Sequence, residues 1–279
     1  NDNLFYIKVL MNIVTISTEN DEYQIIQSLK TNRVKRAKNG EIFIEGIESI
    51  KQALAAGVQV TRLITSDVAS LSGWAREVIA QHSDARLIEL SRPLYEKVCD
   101  RDEPAELLVT AVFQHVRIQD IPMPKKPFVL LFDRPSDQGN FGSIVRSANS
   151  FGVDAVLIIG HGIDCYDPKS IRSSLGSVFH TKIAHIQSMQ ELMDWKKTQK
   201  KLNGMEFIGT DSTGEVSLIE HKLDKPICLI LGNEAKGMSV ALKECCDYIL
   251  RIPLCGNVNS LNVSCAGSIL LWEVFKNSQ

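Results

Sequence analysis

The chain has 279 residues, of which 44% are hydrophobic and 23% charged, and its formal net charge is −2. This composition is typical of a globular protein with one large or two ordinary domains, and it excludes disordered and fibrous classes. Proteins that bind polyanions usually carry a positive excess, so any nucleic-acid site must be a local patch. No apolar run approaches the ~20 residues of a membrane span.

The seven cysteines and six histidines do not have the spacing of a metal site. No cysteines form C-x-x-C and no histidines form H-x-x-x-H, so we predict no metal. The cysteines are expected to be reduced, buried thiols of a cytoplasmic protein. Residues 1–10 lack the features of a secretory signal and precede Met11, so they are predicted to be a leader or a cloning remnant.

The first half of the chain alternates helical and strand patterns, which predicts a small α/β domain over residues 21–117 after an N-terminal extension, 1–20. The predicted helices cover residues 21–31, 47–56 and 72–82, and the predicted strands cover 42–44, 60–65, 86–90 and 107–114. A basic cluster follows the first helix and consists of Arg33, Lys35, Arg36 and Lys38. Such a cluster can bind phosphates, but a solvated basic face explains any one of its residues equally well.

Prolines interrupt the pattern at Pro122, Pro124 and Pro127. Proline cannot donate a backbone hydrogen bond and disfavours helix, so residues 118–127 are predicted to be an extended linker. A second domain is predicted over residues 128–279.

In the second domain the strand candidates are nearly continuous apolar runs, which indicates a parallel sheet covered on both faces. The predicted strands cover residues 128–132, 155–159, 207–209, 227–231 and 248–252, and the predicted helices cover 140–151, 168–179, 189–200, 239–245 and 260–275. Ligands bind outside the carboxyl ends of the strands in such sheets.

Three polar, glycine-rich segments follow strand ends, at residues 133–148, 232–237 and 252–266. Asn140 is expected to cap the helix that carries Arg146, and Ser260 is expected to cap the helix that begins near Asn262. Taken singly, each segment also fits a capped core helix or a tight turn. None has the glycine pattern of a phosphate-binding loop or a dinucleotide site, which disfavours a nucleotide-dependent oxidoreductase.

In this order the three segments resemble the motifs of the SpoU (TrmH) family of the SPOUT superfamily. The first, N-x-G-x-I-x-R, is matched at 140–146, and the second, L-G-N-E-x-x-G, at 231–237. The third, I-P-x-x-G followed by S-L-N-V-S, is matched at 252–256 and 260–264. Residues 21–115 resemble, more loosely, the substrate-binding domain that often precedes this catalytic domain. The chain departs from the family at Gln138, where proline is common, and at Ala235, where glycine is frequent.

The resemblance implies an enzyme that moves a methyl group from S-adenosylmethionine to a ribose 2′-hydroxyl of ribosomal or transfer RNA. It also implies a C-terminal trefoil knot, a homodimer and a cytoplasmic location. The alternative on the same scaffold is a non-catalytic RNA-binding or assembly factor.

The resemblance also implies roles for particular residues. The expected catalytic residues are Arg146, Asn140, Glu234, Ser260 and Asn262. The expected cofactor contacts are Thr210, Leu231, Gly232, Ile252, Leu254 and Leu261. Arg33, Lys35, Arg36 and Lys38 would contact RNA. Arg146 would act as a base or as a phosphate clamp; arginine keeps its proton up to roughly pH 12, which favours the clamp. Glu234 would orient Arg146 or the substrate.

Overall fold

The computed structural model describes residues 12–100 and 104–279, so the predicted leader, residues 1–10, lies outside the described residues. By their contacts the residues divide into two units. Unit 1 comprises the described residues up to Gln114 together with Tyr166–Gly176, and unit 2 comprises His115–Cys165 and Ser177–Gln279. No helix within the described ranges is both long and apolar enough to cross a bilayer.

The strands and helices of the described residues are numbered in chain order. The strands are β1 Val14–Ile16, β2 Glu41–Glu45, β3 Val60–Thr65, β4 Arg86–Leu90, β5 Leu108–Val112, β6 Phe128–Asp133, β7 Ala155–Ile159, β8 Ile183–Ile186, β9 Glu206–Thr210, β10 Val216–Ser217, β11 Ile227–Leu231 and β12 Tyr248–Arg251. The helices are α1 Asp21–Thr31, α2 Arg33–Asn39, α3 Ile47–Ala55, α4 Gly73–Gln81, α5 Arg92–Val98, α6 Gln138–Ser150, α7 Pro168–Ser173, α8 Met189–Asn203, α9 Val240–Cys245 and α10 Val263–Asn277.

Unit 1 is built on a five-stranded mixed sheet in the order β1-β4-β3-β5-β2. β1 and β3 lie parallel to β4, whereas β5 runs antiparallel to both β2 and β3. Tyr23, Ile26 and Leu29 of α1 are fully buried in its core, and Ile25 packs against that core partly buried. The first strand, β1, lies inside the predicted N-terminal extension, 1–20.

The basic cluster forms a short helix, α2, that the sequence patterns did not predict. Asn32 caps its beginning by accepting from Lys35 N–H at 3.1 Å, and Gly40 ends it with φ of 65°. Arg36 is the inward-facing residue, only 2% exposed, and its guanidinium donates to the carbonyls of Leu29 (2.8 Å) and Lys30 (2.9 Å) at the end of α1. The predicted contact of Arg36 with RNA is therefore wrong, because the side chain is buried and engaged.

Unit 2 is built on a seven-stranded, wholly parallel sheet in the order β10-β12-β9-β11-β6-β7-β8. Every residue of β6, β7 and β11 is buried, as continuous apolar strands covered on both faces require. Leu231 pairs with Phe132, and Leu250 with Thr210. The carboxyl ends of β12, β9, β11 and β6 therefore lie side by side, and the three polar segments start there.

The structure differs from the prediction in two segments, the predicted linker 118–127 and the predicted helix 168–179. Ile118–Asp120, in the predicted linker, forms a 3-10 turn, and Ile118 and Ile121 are buried in one core cluster with Trp195. The predicted helix 168–179 ends at Ser173, because the chain turns with positive φ at Leu175 (49°) and Gly176 (80°).

Candidate active site

The first polar segment begins with a buried carboxylate at the end of β6. Asp133 is 2% exposed and accepts the N–H of Ser239 at 2.7 Å. Arg134 has φ of 48° and forms two bonds to the Asp133 carboxylate, at 2.8 and 2.9 Å. It also donates to the carbonyl of Gly237 at 3.2 Å. Asp133 and Arg134 together fasten the first polar segment to the second one.

Glu234 is held against the loop that follows β6. Its carboxylate accepts from the hydroxyl of Ser136 (2.8 Å) and from the N–H groups of Ser136 (3.1 Å) and Asp137 (3.2 Å). Together with Asn233 Nδ2, which donates at 3.3 Å, these groups fix the carboxylate in one orientation. The donors do not include Arg146, so the predicted orientation of Arg146 by Glu234 is not seen in this structure.

Helix α6 begins two residues earlier than the sequence predicts. Asp137 is its N-cap and accepts the N–H of Asn140 at 2.8 Å. A carboxylate three residues upstream satisfies this N–H, and the Asn140 side chain is released from capping. The prediction that Asn140 is the cap is wrong, and its amide is available for the site.

Asn140 and Asn262 meet across the site. The Asn262 Nδ2 donates to Asn140 Oδ1 at 3.0 Å, although 122 positions separate the two residues. Asn262, and not Ser260, is the N-cap of α10, because its Oδ1 accepts from Ser264 N–H at 2.8 Å. Ser260 lies on the exposed loop before the helix and lines the cavity described below.

Small residues let α10 pack closely enough to bring these two asparagines together. A Cβ added at Gly267 would lie 3.0 Å from Leu231 Cδ1 and 3.5 Å from Ile144 Cγ1. The hydroxyls of Ser147 and Ser268 share a hydrogen bond of 2.8 Å between α6 and α10. Gly267 and the two serines thus fix the distance between the helices that carry Asn140 and Asn262.

Arg146 lies on the exposed side of α6, six residues after Asn140. Within residues 12–100 and 104–279 its guanidinium has neither an ion pair nor a hydrogen bond. A free guanidinium can take a phosphate or another anion in a bidentate fashion.

The second polar segment is a tight turn that only glycine permits at position 232. Asn233 and Gly237 exchange backbone hydrogen bonds of 2.9 and 3.1 Å. A Cβ at Gly232 would lie 2.4 Å from Met238 N and 2.6 Å from Gly237 C. Gly232 is therefore required by the closeness of the turn itself, before any ligand is considered.

A cavity of about 310 Å³ opens between the second and third polar segments and the end of β9, a size in the lower part of the range for small-molecule sites. Its walls include every predicted cofactor contact: Thr210, Leu231, Gly232, Ile252, Leu254 and Leu261. Glu234 and Ser260 also line it. The hydroxyl of Thr210 donates to Ile230 O at 2.9 Å, which ties the ends of β9 and β11 together beneath the cavity.

The cavity also contains an acidic group, Asp211, that the sequence analysis missed. Its carboxylate contacts Lys243 at 2.7 Å and accepts from Thr213 N–H at 3.0 Å. Burial alone would raise the pKa of Asp211, but the bonds from Lys243 and Thr213 outweigh burial and hold the pKa below its usual value. Asp211 is therefore ionised at neutral pH. The signal for it in the sequence is its place directly after Thr210, at a strand end.

The remaining predicted basic residues lie on unit 1. Arg33, Lys35 and Lys38 are exposed on α2, whereas Arg36 is ion-paired with Asp167 at 3.1 Å. Within the part of the chain that the structure describes, no three metal-ligating side chains are grouped to hold an ion. Four of the cysteines are buried, as predicted, but Cys255 and Cys265 are exposed.

Comparison with known proteins assigns both halves of the chain to known family profiles. The profile of the SpoU rRNA Methylase family matches residues 127–272, more than half of the chain, and that of the SpoU L30e-like domain matches residues 20–109. The chain belongs to the SpoU rRNA methylase family. This finding confirms the resemblance that the three polar segments indicated.

Individual members of the SpoU family are similar over nearly the full chain. A 23S rRNA (uridine(2479)-2′-O)-methyltransferase of Streptomyces viridochromogenes is 33% identical over 94% of this chain and 91% of its own. A 23S rRNA (guanosine(2553)-2′-O)-methyltransferase, RlmP of Bacillus subtilis, is 27% identical over 92% and 97%. The crystal structure of the SpoU methyltransferase AviRb from Streptomyces viridochromogenes, in complex with AdoMet, superposes with a TM-score of 0.86, covering 92% of this chain and 98% of that one at 33% identity.

Proposed function

We propose that this SpoU-family protein transfers a methyl group from S-adenosylmethionine to a ribose 2′-hydroxyl of ribosomal RNA. The observation that carries the proposal is the 3.0 Å bond between Asn140 and Asn262, which lies in the chain between two cavity-lining residues, Leu261 and Val263. It unites the first and third family motifs in one site. Relatives named as 23S rRNA 2′-O-methyltransferases support rRNA as the substrate class.

The cavity fits S-adenosylmethionine in shape and in charge. Leu231, Leu254 and Leu261 offer apolar surface for an adenine ring, and the Gly232 turn offers backbone groups. The carboxylates of Asp211 and Glu234 suit a ligand that carries a positively charged sulfur and an ammonium group. When bound, S-adenosylmethionine supplies an electrophilic methyl group on that sulfur.

The chain's own residues must hold the ribose and stabilise the oxygen as it loses its proton. Arg146 is proposed to clamp a phosphate beside the target ribose and to stabilise the developing negative charge, since its guanidinium is exposed and unpaired within the described residues. Asn140, Ser260 and Asn262 are proposed to position the substrate. Glu234, locked by Ser136 and Asp137, keeps the loop before α6 in place.

Three further properties of the family belong to this proposal: a C-terminal trefoil knot, a cytoplasmic location and a homodimer. On α10, Leu270 and Leu271 are buried, whereas Ile269 (40%) and Trp272 (48%) are exposed, and Trp272 lies against the rings of Phe151 and Phe275. An exposed apolar pair next to an aromatic cluster suits a self-association surface. Sedimentation equilibrium would give the oligomeric state directly.

The function is tested with purified protein, a full-length 23S rRNA transcript and S-adenosylmethionine labelled on the methyl group. Ribose methylation blocks alkaline cleavage of the adjacent phosphodiester, so labelled product should survive alkaline hydrolysis as a dinucleotide. Arg146→Ala should reduce transfer by at least about a hundredfold and leave S-adenosylhomocysteine affinity largely intact. Binding of RNA without any transfer would favour the non-catalytic alternative, and near-normal turnover of Arg146→Ala would refute the assigned role.

A further inference from the structure

Lysines collect at the amino edge of the unit 2 sheet, which is the edge opposite the cavity. They lie in the loops that lead into β6, β8 and β11 and in the last turns of α8, the helix that precedes β9. Parallel strands all begin at this edge, so the topology brings together segments that are far apart in sequence. The lysines of this amino-edge surface are Lys125, Lys126, Lys182, Lys197, Lys201 and Lys225.

Backbone hydrogen bonds place these segments side by side. Ile227 N–H donates to Pro127 O at 2.9 Å, and Glu206 N–H donates to Pro226 O at 3.1 Å. The strands β9, β11 and β6 are neighbours, spaced roughly 4.8 Å apart. The end of α8, Lys225 and the Lys125–Lys126 pair therefore border one another along the edge.

Most of these ammonium groups point into solvent without a carboxylate. Lys125, Lys126, Lys182, Lys197 and Lys201 are exposed, and within the described ranges none of them forms an ion pair. Lys225 is half-buried, with its Nζ 5.2 Å from the centre of the Phe128 ring. By contrast, Lys196 and Lys200 of α8 both contact Asp247.

Acidic residues are present at this edge, but backbone groups engage three of them. Asp154 accepts Phe128 N–H at 2.7 Å, Asp247 accepts Phe207 N–H at 2.9 Å, and Asp224 accepts Lys225 N–H at 2.8 Å. Glu206 is exposed there. Lysines at a helix end also offset the helix dipole, which accounts for Lys201 but not for the lysines in loops. These carboxylates keep their charge, but the lysines outnumber them, so a chain with net charge −2 keeps a positive strip on this edge.

We propose that the amino-edge surface binds phosphates of the same rRNA whose ribose enters the active site, an inference that rests on the proposed function. Lysine acts as a point charge toward phosphate and needs no particular base sequence. Strands of five residues span roughly 17 Å, so a folded rRNA at the cavity can extend around the sheet to its opposite edge. The surface would raise affinity without taking part in chemistry.

The test compares two triple variants that remove equal charge. Lys126→Gln/Lys197→Gln/Lys201→Gln removes three lysines of the amino-edge surface, and Lys51→Gln/Lys97→Gln/Lys169→Gln removes three exposed lysines elsewhere. Filter binding of a full-length 23S rRNA transcript is measured from low to moderate salt. We expect the first variant to weaken binding about tenfold or more at ~0.1 M salt and to lower the slope of log Kd against log salt by about two to three. The control should bind like the natural protein.

The kinetic readout separates this proposal from the proposed function. At saturating rRNA the amino-edge variant should keep its kcat while its KM for rRNA rises, and its unfolding midpoint should not change. Equal losses in the two variants, or an unchanged salt slope in the first, would overturn the amino-edge proposal. If the natural protein binds rRNA through these lysines but transfers no methyl group, the proposed function fails and the surface stands.

Discussion

Asn262 has two roles in the folded chain, and both depend on its amide. The Oδ1 accepts from Ser264 N–H at 2.8 Å and so caps α10, while Nδ2 donates to Asn140 Oδ1 at 3.0 Å. An amide offers an acceptor and a donor on neighbouring atoms, which a hydroxyl of shorter reach cannot reproduce across this distance. One side chain therefore links the stability of a helix to the geometry of the site.

Two substitutions at this position separate the roles. Asn262→Ser keeps a good helix cap but is too short to reach Asn140, so we expect stability to stay within about 0.5 kcal/mol and kcat to fall about tenfold. Asn262→Ala removes both contacts and should also cost about 1 kcal/mol of unfolding free energy. Urea unfolding and single-turnover methyl transfer measure the two effects. Full turnover by Asn262→Ser would mean that the contact with Asn140 is only structural.

The structural role of Asp133 and Arg134 could not be predicted from the sequence. An acidic residue at the end of an apolar strand is visible in the sequence, but its bond to Ser239 N–H, 106 positions away, is not. Arg134 takes a positive φ of 48° that no local pattern predicts for arginine. Its side chain packs closely over Gly160, where an added Cβ would lie only 2.6 Å from Arg134 Cγ. Only the three-dimensional structure shows that this pair links the first and second polar segments by hydrogen bonds.

At the level of secondary structure, α2 shows how a charged residue can replace an apolar one in a core. The helix has seven residues, four of them basic, and lacks the apolar stripe by which helices are usually predicted. Arg36 fills the inward position because its five N–H groups can satisfy the carbonyls of Leu29 and Lys30 together with Asp167. The neighbouring Lys35 and Lys38 remain exposed.

The substitutions Arg36→Gln and Lys35→Gln/Lys38→Gln should therefore affect different properties, the first stability and the second RNA binding. Arg36→Gln leaves buried carbonyls without donors and should lower the unfolding free energy by about 2 kcal/mol. Lys35→Gln/Lys38→Gln should change stability by less than about 0.5 kcal/mol but reduce RNA affinity and its salt dependence. Urea unfolding followed by circular dichroism, with filter binding of a 23S rRNA transcript, measures both. A stable Arg36→Gln protein with weakened RNA binding would reverse our interpretation.

Element length decided which segments the sequence could predict. The buried strands Ala155–Ile159 and Ile227–Leu231 were predicted with their observed bounds, because a continuous apolar run needs no partner to be recognised. The short strands β1, β8 and β10 were missed, since so few residues carry little periodicity, although the four-residue β12 was predicted from the apolar run that ends at Ile252. Helix starts were displaced at α6 and α10, where the cap is a residue other than the one expected.

For the molecule as a whole, the parallel sheet of unit 2 and its family followed from the sequence, but the organisation of its edges did not. The three site segments could be predicted to converge, since each follows a strand and parallel strands end at one edge. The cavity volume and the Asn140–Asn262 bond needed the strand order. The lysines of the opposite edge could not be predicted to form a surface, because lysines before separate strands become neighbours only when the strand order is known.

Asp247 ties together the elements that meet at this opposite edge. Its carboxylate accepts Phe207 N–H of β9 at 2.9 Å and contacts both Lys196, at 3.5 Å, and Lys200 of α8, just before β12 begins. Burial alone would raise the pKa of Asp247, but the bonds from Lys200 and Phe207 outweigh it, so the pKa lies below the ordinary value of 3.8. The carboxylate therefore stabilises the fold fully above pH 3.8, and that contribution is lost as the pH falls through the lower pKa of the folded state.

In Asp247→Asn the free energy of unfolding should fall less steeply at acid pH than it does in the natural protein. The amide still accepts Phe207 N–H but does not pair with the lysines, so the variant should be less stable than the natural protein at neutral pH and should converge with it as the pH falls below 3.8. Urea unfolding at a series of pH values measures this convergence. Asp224→Asn, which removes an exposed carboxylate 3.8 Å from Lys222 on the same edge, provides the control and should change stability at neutral pH by less than about 0.5 kcal/mol. Parallel curves for Asp247→Asn would mean that hydrogen bonding alone, without charge, holds β9 to α8.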